Sequence, residues 1–245
     1  MVIGATSGIG LAIARGLAQA GADVAATGRR QDLVNAAADS IEALGRRSLR
    51  VASDVTSPES LEALHDASVR AFGRVDILVN AAGITSRAPT LEMSDARWQE
   101  IMDTNFTGTL RACRLFGGEM VRRGYGRIIN IGSLTSLVAL YEVAAYSASK
   151  AAVASLTQSL AIEWARAGGC VNAILPGVFR TALNAGLLDN TARGKELLAR
   201  TPMARFGEVE EVVGAAVFLA SESARFVTGH LLAVDGGFLA SGVNQ

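Results

Sequence analysis

Short apolar runs alternate with longer stretches of helical period along the whole chain, and few folds accept that order. The runs Met1–Gly4, Asp23–Thr27, Ser48–Ser53, Val75–Asn80, Arg127–Gly132, Cys170–Leu175 and Leu231–Val234 read as strands. Apolar residues recur at helical spacing over Ile9–Ala20, Leu33–Leu44, Glu59–Phe72, Asp95–Phe116, Ala148–Ala167 and Val209–Ala220. Repeated strand–helix–strand units make a parallel sheet with helices on both faces, so the pattern predicts an α/β, doubly wound, Rossmann-type sheet of seven strands. A hydrophobic fraction of 50% against 19% charged, with mean hydropathy +0.30, suits strands covered on both faces and excludes a disordered chain.

The punctuation agrees with the periodicity. Gly21, Gly45 and Gly73 follow helices where a left-handed residue is wanted, and Ser57-Pro58 and Ser94 look like helix starts. No Pro-rich linker, charge block or repeat divides residues 1–245, which predicts one domain. The segment Gly177–Met203 has no clear strand and ends in Thr201-Pro202, as a substrate loop or lid would.

Partners are constrained by charge. The formal net charge is zero, so no basic excess drives binding to nucleic acid. No apolar run is long enough to cross a membrane, and no basic leader precedes the first apolar residues, which predicts a cytoplasmic protein. Cys113 and Cys170 lie far apart in apolar surroundings and read as buried free thiols; His65 and His230 stand alone, so no metal site is expected.

The first strand runs through Gly4-Ala5-Thr6-Ser7-Gly8-Ile9-Gly10 directly into a helix. Glycines allow a tight turn and a close backbone approach, and the helix N-terminus favours an anion, so a dinucleotide pyrophosphate fits there. The second strand ends in Ala26-Thr27-Gly28-Arg29-Arg30. Gly28 leaves empty the place where an acidic side chain would take a ribose 2′-hydroxyl, while Arg29 and Arg30 can pair with a 2′-phosphate, which favours NADP(H) over NAD(H). Asp54-Val55, ending the third strand, is placed to hold the adenine edge or to make a turn.

Tyr146-Ser147-Ala148-Ser149-Lys150 carries the strongest local signal, because residues four apart share a helix face. A nearby ammonium favours the phenolate, so Lys150 is expected to lower the Tyr146 pKa and make the phenol a general acid and base.

Gly4-x-x-x-Gly8-x-Gly10, Asn80-Ala81-Ala82-Gly83, Asn105, Ser133, Tyr146-x-x-x-Lys150 and Pro176-Gly177 occur in the order and spacing of the short-chain dehydrogenases/reductases, and the chain is identified as resembling that family over its whole length. The resemblance implies an enzyme that interconverts a ketone and a secondary alcohol by hydride transfer with a nicotinamide cofactor. It implies that Tyr146 moves the proton and Ser133 hydrogen-bonds the substrate oxygen. Lys150 would also bind the nicotinamide ribose, and Asn105 would hold a water in the proton relay or kink its own helix. Gly4, Thr6, Ser7, Gly8, Ile9, Gly10, Asn80, Ala82 and Gly83 would line the cofactor, as would Pro176, Gly177, Val178 and Thr181 at the nicotinamide end.

The chain departs from the family in a first strand beginning at Met1, expected to be stunted, in Ile3 where members carry Thr, and in Ala81 where members carry a second Asn. From Arg200 onwards the tail is similar to gluconate 5-dehydrogenases and related sugar-acid or polyol members, and also to 3-oxoacyl-carrier-protein reductases. The substrate expected is therefore a small carbonyl or alcohol, with a sugar acid or polyol ahead of an oxoacyl thioester. A non-catalytic NADP-binding redox sensor is the rival class, and the set Asn105, Ser133, Tyr146, Lys150 favours the enzyme. Phe106–Leu115 and Ala151–Trp164 carry apolar residues on more than one face, and the resemblance implies a homotetramer built on these helices and the last strand, with Ala240–Gln245 reaching a neighbour.

Overall fold

The computed structural model describes residues 1–181 and 185–242. Its strands are β1 (Val2–Ile3), β2 (Ala26–Thr27), β3 (Ile77–Asn80), β4 (Gly126–Ile131), β5 (Gly169–Pro176) and β6 (Leu231–Val234). They form one parallel sheet in the order β2-β1-β3-β4-β5-β6. The helices are α1 (Gly8–Gln19), α2 (Gln31–Glu42), α3 (Pro58–Phe72), α4 (Asp95–Met102), α5 (Gly108–Arg123), α6 (Ala144–Trp164), α7 (Ala185–Leu188), α8 (Ala192–Arg200) and α9 (Val213–Ala220).

Alternation along each strand divides the core into two layers. Val2, Val79 and Ile129 pack with Ile13 and Leu17 of α1, Ile41 of α2 and Ala216 of α9. Their sequence neighbours Ile3, Leu78 and Ile128 point the other way, onto Leu61 and Leu64 of α3, Phe116 of α5 and Leu160 of α6. The doubly wound sandwich is thus the direct consequence of adjacent apolar residues in strands buried on both faces.

Among the described residues six strands stand where seven were expected. Ser48–Ser53 makes a single parallel bridge, Val24 to Ser48, and is otherwise held by irregular bonds. Thr27 Oγ1 donates to Val51 O at 2.6 Å, Ser48 Oγ donates to Val24 O at 2.8 Å and Ser53 N donates to Gly28 O at 3.0 Å. Hydroxyls take carbonyls that a ladder would use, so the segment lies against the sheet edge without joining it. Asp95–Phe116 is likewise not one α-helix: a π-helical insertion at Asp103–Thr107 separates α4 from α5. The expected helix starts hold, since Ser57 accepts from Ser60 N and Ser94 from Arg97 N. Gly21, Gly45 and Gly73 all have positive φ.

The expected loop 177–203 contains α7 and α8, with 182–184 outside the described residues. Leu188 and Leu197 pack on Leu134 and Phe238, and Arg193 Nη1 donates to Tyr141 O at 3.2 Å, tying α8 to the loop before α6. The tail expected to reach a neighbour is described to Gly242, and its residues 243–245 lie outside the described residues. No helix among the described residues is long and apolar enough to cross a membrane.

Candidate active site

Carboxyl ends of β1, β3, β4 and β5 converge on one edge of the sheet, and β1 lies between β2 and β3, where the winding reverses direction. Gly4 leaves β1 with φ +80°, and a Cβ there would sit 2.3 Å from Ala82 N. A Cβ on Gly10 would sit 2.1 Å from Gly4 O, so the turn closes only with glycine at both places. Above Gly8 a Cβ would meet, among the described residues, only Thr181 Cγ2, at 3.7 Å. Ser7, the N-cap of α1, makes no side-chain capping bond, so it does not close the first-turn N–H groups that follow it, beginning with Gly8 and Ile9. A tight open turn in front of an uncapped helix fits a dinucleotide pyrophosphate.

Thr6 leans over the end of β2, where a Cβ on Gly28 would lie 2.9 Å from its Cγ2. An acidic side chain at position 28 therefore has no room, and Arg29 and Arg30 stand exposed beside it. Burial pushes the Asp54 carboxyl up, but bonds from the Thr56 N–H and hydroxyl, with the Arg29 charge, outweigh it and hold the group below its ordinary value. Asp54 thus makes an Asx turn, and Val55 is buried against Gly108. Neither observation assigns them a ligand. Asn80 Nδ2 donates to Asn130 Oδ1 at 2.9 Å, knitting β3 to β4 beneath the site. Gly83 faces Asn105 Oδ1 and Lys150 Nζ, which a Cβ would meet at 3.4 and 3.5 Å. Pro176 pairs with Val234, and a Cβ on Gly177 would meet Asp235 Cα at 2.6 Å, so this segment, with Val178 packed toward Leu134, runs beside β6 to bring Thr181 over the glycine turn.

Ser133 follows β4, and its hydroxyl lies near enough to the half-buried Tyr146 phenol, on the first turn of α6, to act on its pKa. Lys150, 5% exposed, lies one turn on, with Nζ 5.7 Å from the Tyr146 ring centre and donating to Ile131 O at 2.7 Å. Asn105 is fully buried within the π insertion; its Nδ2 donates to Ile84 O and to Ser149 Oγ, each at 2.9 Å, and its Oδ1 accepts from Ile84 N at 2.8 Å. These four side chains come together as the spacing suggested. The insertion turns Asn105 toward the sheet, and its amide is largely committed to Ile84 and Ser149.

One expectation fails in sign. Burial raises the Tyr146 pKa, and the Ser133 hydroxyl pulls against it without reversing it. Lys150 does not lower it here: its ammonium is bonded to the Ile131 carbonyl, and burial brings its own pKa down to about 8. The phenol is accordingly held protonated at neutral pH.

Two serines escaped the sequence reading. Ser149 Oγ donates to Tyr146 O at 2.7 Å while accepting from Asn105, and so links the π insertion to the catalytic helix. Ser136 Oγ donates to Lys150 O at 2.8 Å. Ser149 could have been noticed from its place inside the Tyr-x-x-x-Lys turn; Ser136 had no signal.

A family model described as Enoyl-(Acyl carrier protein) reductase, of the short-chain dehydrogenase type, matches residues 4–239. The chain belongs to the short-chain dehydrogenase/reductase family. Like that family, it is an NAD(P)-dependent oxidoreductase interconverting a ketone and a secondary alcohol. Gluconate 5-dehydrogenase of Gluconobacter oxydans (strain 621H) is 40% identical to it over 98% of this chain and 94% of its own. Galactitol 2-dehydrogenase (L-tagatose-forming) of Cereibacter sphaeroides is 41% identical over 97% of this chain and 93% of its own. Among solved structures, a gluconate 5-dehydrogenase from Burkholderia cenocepacia J2315 in complex with NADP and tartrate matches with a TM-score of 0.93 and 39% identity, covering 98% of this chain and 94% of that one. Short-chain dehydrogenases/reductases acting on sugar acids and polyols are thus among its full-length relatives.

Proposed function

We propose that this protein is an NADP(H)-preferring dehydrogenase/reductase of a sugar acid or polyol, with Asn105, Ser133, Tyr146 and Lys150 as its catalytic set. The observation that carries the proposal is the placing of the Ser133 hydroxyl beside the Tyr146 phenol, one helix turn from the buried Lys150. When bound, the nicotinamide supplies hydride to the carbonyl carbon or accepts it from the alcohol carbon. Tyr146, protonated at neutral pH, donates its phenol proton to the carbonyl oxygen during reduction. Ser133 donates to the same oxygen and stabilises the charge that develops on it. Lys150 holds the ribose hydroxyls with its buried ammonium. Asn105 keeps the second Oδ1 lone pair for a water between itself and Lys150.

The cofactor is held at its pyrophosphate by the turn from Gly4 to Gly10, at its 2′-phosphate by Arg29 and Arg30, along Asp54, Val55, Asn80, Ala82 and Gly83, and at its nicotinamide by Pro176, Gly177, Val178 and Thr181. Residues 1–245 act as one domain, with 177–203 as the substrate lid. Exposed Ile162, Phe218 and Phe226, at 81%, 42% and 101%, support a homotetramer, and light scattering tests for four copies of the 25.4 kDa chain. The same reading places the protein in the cytoplasm, which cell fractionation checks.

Turnover of 5-ketogluconate and acetoacetyl thioester with NADPH, and of a polyol with NADP+, decides the substrate. Reduction of 5-ketogluconate or oxidation of the polyol supports the proposal; turnover of the thioester alone moves the assignment to a 3-oxoacyl thioester reductase. Tyr146→Phe should abolish turnover and spare nucleotide binding, and an active Phe variant would refute the catalytic assignment.

A further inference from the structure

Ser136 occupies the first turn after β4, outside every motif that carries the family resemblance. Its hydroxyl makes two bonds at once: Oγ donates to Lys150 O at 2.8 Å and accepts from Ser133 N at 3.3 Å. The first partner lies on α6 and the second on the segment leaving β4, so one atom spans the two elements that carry the phenol and the serine hydroxyl. Space for it is built in, since a Cβ on Gly132 would crowd Ser136 Oγ at 3.1 Å and Leu175 Cδ2 at 2.4 Å. Ser133 Oγ is engaged on its own turn as well, accepting from Thr135 N at 3.1 Å.

We infer that Ser136 is a positioning residue for the reaction, clamping the Ser133 turn to α6 so that the Ser133 hydroxyl stays beside the Tyr146 phenol. The inference deepens the catalytic reading above and rests on it for its kinetic consequence. The clamp acts through distance: Lys150 O keeps its helical position in a long helix, and Ser136 fixes how far the backbone of Ser133 can move from it. A serine that merely closed a turn would need the bond to Ser133 N alone. The bond to Lys150 O serves the alignment of two separate elements, and misplacing a reacting group by a fraction of its hydrogen-bond length is costly in rate. The charged group facing the phenol, Lys150, sits on the same helix turn and moves with it.

The test reads the phenol directly. The chain has three tyrosines, so carbon NMR of protein labelled at the tyrosine ring, assigned with Tyr146→Phe, follows Tyr146 through a pH titration without any substrate. The Ser133 hydroxyl lowers that group, so Ser136→Ala is expected to move its titration to higher pH, with kcat down about tenfold for one lost hydrogen bond and the KM for NADPH unchanged. Ser136→Thr and Ser136→Val, nearly equal in shape, isolate the hydroxyl should the alanine variant not fold. Threonine holding the wild-type titration while valine shifts it upward supports the clamp. Coincident titrations in the two variants, or an alanine variant that titrates like wild type, overturn it. Turnover surviving in Tyr146→Phe would instead refute the catalytic reading and leave the NMR comparison standing.

Discussion

Replacing Lys150 by methionine separates the cost of its charge from its place in the fold. Burial lowers the lysine from 10.5 to about 8, which at about 1.4 kcal/mol per unit makes the ammonium cost roughly 3 kcal/mol in the folded protein at pH 7. The folded group releases its proton first, so between pH 8 and 10.5 the unfolded chain binds more protons and stability rises with pH. The penalty is full below that window and gone above it. Methionine carries no such penalty, but it gives up the 2.7 Å bond to Ile131 O, worth about 1 to 2 kcal/mol. Lys150→Met is therefore expected to be more stable than wild type at pH 7, by about 1 to 2 kcal/mol, and to lose that advantage by about pH 10. Urea unfolding at pH 7, 8.5 and 10, with equal slopes for the two proteins, measures the difference. A variant less stable than wild type at pH 7, by an amount that does not change up to pH 10, would show that the lysine is not charged against its surroundings and would refute the reasoning.

Three further outcomes are expected. Arg29→Ala with Arg30→Ala should weaken NADPH binding by at least about tenfold and leave NADH unchanged in a fluorescence titration, because each charge-assisted bond to a 2′-phosphate is worth about 1.5 to 3 kcal/mol. Burial pushes the Cys113 thiol up to about 12, against the pull of its bonds with Asn80 and Asn130, so a thiol reagent at pH 8 should leave Cys113 unlabelled until urea unfolds the chain, as peptide mass spectrometry would show. A Cβ on Gly16 of α1 would sit 2.1 Å from Val213 Cγ1, so Gly16→Ala should cost about 1 to 3 kcal/mol in urea unfolding, and adding Val213→Ala should restore most of it.

What was legible in the sequence follows from what kind of relation each residue enters. Tyr146 and Lys150 are four apart on one helix, so spacing alone places them on one face. The glycine turn is legible for the same reason, since Gly4, Gly8 and Gly10 act within a single strand–turn–helix. Ser133 could be placed only by the order of motifs, and the bond from Ser136 to Lys150 not at all, because a serine after a strand is ordinary and its partner is a distant backbone carbonyl. Asn105 was recognised, yet its partners Ile84 and Ser149 come from other elements, and no periodicity announces a π insertion. Ser48–Ser53 shows the opposite error: Leu49 and Val51 alternate like a half-buried strand, but the neighbouring hydroxyls of Thr27 and Ser48 occupy the carbonyls a ladder requires. The acidity of Tyr146 is the sharpest case. Helical spacing correctly put an ammonium near the ring, but the sign of the shift depends on desolvation, which spacing does not contain. The same fold that brings Lys150 close also buries the phenol and engages the ammonium at Ile131 O, so the site is set to hold a proton on Tyr146 for donation.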